Sequence, residues 1–156
     1  MTTAVRPAPT ARRTGHAPAA VAHHGCALPP LHILAFDPAD LPPGRRAGIP
    51  AADLADHHAQ LAVMRRAAAE GDSRQFALTA TAAALLTVRH RPRPVVERVT
   101  QRLQLWGAIG LQAEQDSSLL GLLYAPDEAD LDARVARARA GLLRLGIHRT
   151  WRFDAG

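Results

Sequence analysis

Apolar residues return along the chain at two spacings, and these spacings predict most of the elements. Leu31 to Phe36 (LHILAF) is a short apolar run closed by Asp37-Pro38, which reads as a strand or a docked extended segment. Residues 37–50 hold four prolines and two glycines and read as a loop. A helix is predicted from about Ala51 to Glu70, with Pro50 at its start, Asp53 and Asp56 near its positive end and Gly71 to stop it. Its inward stripe would be Leu54, His58, Leu61, Met64 or Arg65, and Ala68.

Asp72-Ser73 offers a cap for a second helix over about 74–88. Within it FALTATA alternates like a strand, but the alanine run and Leu85-Leu86 favour helix. Arg91-Pro92-Arg93-Pro94 breaks the chain, since a proline inside a helix removes a donor and clashes with the preceding turn. From Pro94, the residues Val95, Val99, Leu103 and Trp106 recur at spacings of four, four and three, which predicts a third helix ending at Gly107. Ile109 to Glu114 and Leu119 to Tyr124, separated by a polar loop, form a β-hairpin pattern. The last helix is expected over about 128–145, with a seam of Leu131, Val135, Ala138, Leu142 and Leu145, and residues 147–153 alternate as a final strand.

These elements describe one small α+β domain over 31–156. It has about four helices, a β-hairpin and a C-terminal strand, behind an N-terminal tail over 1–30. The tail is Ala, Pro, Thr, Arg and His with almost no large apolar side chain, so it buries too little to offset the entropy of ordering and is expected to be disordered.

Composition narrows the possibilities. The 156 residues are 47% hydrophobic and 21% charged, which suits a globular domain, and all 19 basic residues are arginine. Cys26 is the single cysteine, so no intramolecular disulfide forms, and a reducing, cytoplasmic compartment is expected. No apolar stretch approaches the roughly 20 residues that span a bilayer, and no secretory signal is seen at the start, so no membrane role is expected. The net charge is +5, but it is uneven: +3 over 1–30, −2 over 31–62, +5 over 63–106 and −1 over 107–156. An arginine-rich stretch of that kind attracts polyanions irrespective of their sequence. A solvated face in a chain generally rich in arginine gives the same count.

Catalytic motifs are missing. There is no G-x-S-x-G elbow, and without lysine there is no P-loop. His57-His58 follows Asp53, but no HExxH or CxxC accompanies it, so neither a metal nor another cofactor is expected and no catalytic residue is nominated. The segment VVERVTQRLQLWGAIGL resembles the recognition-helix-to-wing junction of winged-helix transcription regulators: an amphipathic helix ending in Gly, then an apolar dipeptide entering a strand. That resemblance implies duplex DNA as partner. Arg98, Gln101, Arg102 and Gln104 would then meet bases or phosphates, and Arg89, Arg91 and Arg93 would touch phosphates. An ordinary amphipathic helix followed by a hairpin fits the same segment. The function expected is therefore a non-enzymatic DNA-associated or regulatory protein contacting nucleic acid through 89–104. The alternative is a protein-interaction or adaptor domain with no nucleic-acid role, dimeric through the seam of helix 128–145.

Overall fold

The structure, a computed structural model, describes residues 28–38, 50–90, 94–113 and 119–156. The expected tail, apart from Leu28 to Pro30, lies outside the described residues, as do Arg91 and Arg93. In chain order the elements are β1 (Leu31–Asp37), α1 (Ala51–Glu70), α2 (Ser73–His90), α3 (Pro94–Thr100), α4 (Leu103–Trp106), β2 (Gly110–Ala113), β3 (Leu120–Tyr124), α5 (Leu131–Arg144) and β4 (Arg149–Ala155).

Local chemistry sets the boundaries. Gly71 ends α1 in the left-handed region at φ +71°, which lets its own N–H reach Ala68 O and that of Asp72 reach Ala67 O (2.8 Å). Asp72 then caps α2 by accepting the Gln75 N–H at 2.9 Å. The strand-like FALTATA run is helical. Thr79, Thr81 and Thr87 each donate to the carbonyl four residues back, at 2.8–3.0 Å, which satisfies three hydroxyls inside a helix.

Three expectations are corrected. The helix expected over 94–106 is two helices. Thr100 donates back to Val96 O (2.7 Å) and the Arg102 N–H takes Val99 O three residues behind it, so the ladder tightens and breaks at Gln101-Arg102. The last helix starts at Leu131, three residues late, because Asp130 sits at φ +59° and residues 126–130 turn. The final strand runs 149–155, since Ile147 is drawn back onto α5 by its N–H bond to Leu142 O (3.0 Å).

The four strands form one antiparallel sheet in the order β2-β3-β1-β4. Two β-helix-β passages interlock here. β3 lies between β1 and β2, and β1 lies between β3 and β4, which is the split βαβ or ferredoxin-like arrangement. Its first crossover carries four helices and its second carries α5. The domain is thus the α+β fold that the apolar pattern predicts.

Strand alternation divides the core. Leu34, Phe36, Leu111, Leu120, Leu122 and Tyr124 pack on one face with Val95, Val96, Val99, Leu103 and Trp106 and with Val135, Ala138 and Leu142 of α5. Leu31, Ile33 and Leu123 pack on the other with Phe76, Ala77 and Ala80 of α2 and Ala67 and Ala68 of α1. Of the stripe expected on α1 only Ala68 is buried. Leu54 and His58 are exposed, because only the last turns of that helix reach the sheet. Leu28 and Pro29 join the domain too, and Ser73 Oγ donates to Pro30 O at 2.5 Å.

Candidate nucleic-acid interface

The residues singled out by sequence lie on a surface built by α2, α3 and α4. Arg89 is exposed at the end of α2, and Val88 before it packs with Val95, Val96 and Val99 of α3. Those three valines turn inward, so Arg98 is directed out. Gln101 and Gln104 are exposed and Arg102 is half-buried, on either side of the break between the two helices.

Arg98 Nε donates to Pro94 O (3.4 Å), and Arg102 Nη1 donates to Arg98 O (2.8 Å). Cations suit the carbonyl end of a helix, and each guanidinium retains further N–H groups beyond the bond it makes. The arginine-carboxylate pairs among the described residues lie elsewhere: Arg134 and Arg74 on Glu128, Arg149 on Asp37, Arg152 on Asp132. Glu97 is the acid within this stretch.

The surface extends further than 89–104. Arg137 of α5 donates to Leu105 O at 3.3 Å, and Arg134 to Gly107 O at the same distance. Trp106, buried against Gly141, holds α4 on α5 and so brings Arg137 to the Leu105 carbonyl of α4. Sequence reading missed this arginine because it lies more than thirty residues away, in a helix of ordinary amphipathic pattern.

The hairpin expected as a wing is not free. β3 is sandwiched between β2 and β1 and all five of its residues are buried. The seam of α5 is equally committed: Val135, Ala138 and Leu142 are buried in the chain's own core, and Leu131 and Leu145 pack against it.

Among the described residues no group of three or more His, Cys, Asp and Glu could hold a metal. The His57 imidazole titrates below its ordinary value, chiefly through burial and secondarily through His58. Tyr124 is buried, its hydroxyl without a hydrogen-bond partner among the described residues. Burial holds that phenol well above its ordinary range, with the Arg134 charge acting weakly against it. No described helix is long and apolar enough to cross a membrane.

No family model and no curated protein matches the chain. Among solved structures, the mevalonate kinase of L. major in complex with R-mevalonate is similar, with a TM-score of 0.55 and 14% identity. The match covers 83% of this chain and 44% of that one. The likeness is one of fold, and this chain corresponds to less than half of that enzyme's length.

Proposed function

We propose that the chain is a non-enzymatic nucleic-acid-associated domain of the cytoplasm, which grips a phosphate backbone through the surface around the α3–α4 break. The observation that carries this reading is the placing of exposed Arg89, Arg98 and Arg137 and half-buried Arg102 around α3 and α4, none of them paired with a carboxylate among the described residues. Arg91 and Arg93 belong to the same basic turn in sequence and add to its charge. The two short helices favour backbone contacts over base readout, because a groove-reading helix is long and continuous. Gln101 and Gln104 then serve as hydrogen-bond donors to phosphate or sugar. The single cysteine supports a reducing compartment.

The test is fluorescence anisotropy with short labelled duplexes of unrelated sequence in low salt. The chain should bind all of them similarly, and the double change Arg98→Ala with Arg102→Ala should weaken each by about tenfold. Unaltered affinity would overturn the assignment.

A protein-interaction role is favoured by a different observation. Leu78 (62% exposed), Ala82 and Leu85 (38%) form an i, i+4, i+7 row on the outer side of α2. Changing Leu78 and Leu85 to Gln would abolish partner binding under this second reading and leave DNA affinity as it was.

A further inference from the structure

The sheet has two edges, and the molecule treats them differently. At β2 the edge is closed. The Leu111 N–H donates to Thr81 Oγ1 of α2 at 2.8 Å. α2 also lies so near Gly110 that a Cβ there would fall 2.8 Å from the Ala77 carbonyl carbon and closer to its oxygen. Covering an edge strand with a helix in this way removes a template for unwanted pairing.

β4 at the opposite edge is covered by no described helix. It pairs with β1 over seven consecutive residues, from Leu31 opposite Ala155 to Asp37 opposite Arg149, and no described residue pairs with its outer side. The strand contains no proline and no bulge, two of the usual means of blunting an open edge, and the charges it carries in its outer half, Arg152 and Asp154, are of opposite sign.

We propose that this edge is completed by a second copy of the chain, β4 against β4 in antiparallel pairing about a two-fold axis, giving one eight-stranded sheet. A two-fold normal to the sheet keeps each face on its own side, so the pairing must be centred on a residue. Centred on Phe153, it sets Arg152 opposite Asp154 of the second copy, and Asp154 opposite its Arg152. On the other face Phe153 meets Phe153 and Trp151 meets Ala155, all half-buried in one chain. Both the charged row and the apolar row are therefore self-complementary. Centred on Arg152 instead, the pairing would set that guanidinium against its own copy and lose both ion pairs, which selects the first register. Each charged group already has a partner in its own chain, Asp132 for Arg152 and His32 for Asp154. The Asp154 side chain is nonetheless 72% exposed, and a guanidinium has five N–H donors, so both can take a second partner. The inference is independent of the nucleic-acid reading.

The test is sedimentation equilibrium of the full chain over a wide concentration range, with hydrogen exchange on β4. The expected species has twice the 16.7 kDa mass of one chain, and its β4 amides become protected as concentration rises. Arg152→Asp alone and Asp154→Arg alone should each weaken the dimer about 10- to 30-fold, since each replaces two attractive pairs by two repulsive ones. The double exchange should return affinity to within about threefold of the original, although it restores neither bond within the chain. Circular dichroism checks that each variant folds. A monomer at all concentrations, or a dimer indifferent to these exchanges, overturns the proposal.

Discussion

Replacing Gly141 by alanine sets two effects of opposite sign against each other. In the middle of an exposed helix the change would stabilise by about 1 kcal/mol, because alanine loses less conformational freedom than glycine. Gly141 is buried, however, and a Cβ there would lie within 2.6 Å of three atoms of the Trp106 indole. Ordinary carbon contacts begin near 3.5 Å, so the ring must move by about an ångström in a packed core. Overpacking of that kind costs about 1–3 kcal/mol, and expelling the indole outright would cost about 3–5 kcal/mol. Packing therefore wins, with a net loss of about 1–2 kcal/mol. For a domain of this size that lowers Tm by about 2–8 °C. Thermal and urea unfolding followed by circular dichroism measures it. Trp106→Phe in the same background should recover part of the loss, giving a coupling of about 1 kcal/mol in the double-mutant cycle. A Gly141→Ala variant more stable than the parent would refute the α4–α5 packing, and with it the reason Arg137 reaches the Leu105 carbonyl.

The buried hydroxyl of Tyr124 offers a second check. Tyr124→Phe should raise stability by about 1 kcal/mol, because it removes an unpartnered polar group, and denaturant unfolding at pH 7 reads the change. Since the folded phenol titrates well above the free one, the parent should lose stability as pH rises past about 10, and the Phe variant should lose less. His57 acts at the other end. Its folded value lies below the unfolded one, so the unfolded chain binds the proton more readily and stability falls as pH drops below about 6.5. His57→Gln should flatten that limb of the stability profile, and an identical limb in the variant would show that the imidazole is not the cause.

Where the apolar period was unbroken and its ends carried chemistry, the elements were legible in sequence. α1 stops at Gly71 and α2 begins on the Asp72 cap because left-handed glycine and a side-chain acceptor act within a few residues. The hairpin followed from two short runs separated by a polar loop, but its burial in mid-sheet did not, since β1 joins β3 across some ninety residues of chain. The break at Gln101-Arg102 escaped the period because Val95, Val99, Leu103 and Trp106 share a face in either arrangement, and Thr100 back-bonding decides between them. The half-exposed stripe of α1 shows the converse case, where helical spacing is present but only the C-terminal turns pack on the sheet. Of the candidate surface, Arg89, Arg98, Gln101, Arg102 and Gln104 were readable from charge and spacing. Arg137 was not, because only the seating of Trp106 on Gly141 brings α5 to α4.

The nucleic-acid reading depends on a face and not merely on net charge, and a salt titration separates the two. Duplex affinity is measured across potassium chloride concentrations for the parent, for Arg98→Ala with Arg102→Ala, and for Arg65→Ala with Arg66→Ala, which removes the same charge from the exposed side of α1. Each phosphate contact contributes close to one unit to the slope of log affinity against log salt. The α3–α4 pair should therefore flatten the slope by about two units and the α1 pair should leave it nearly unchanged. Equal flattening by both pairs, or no binding by the parent in low salt, would contradict the account.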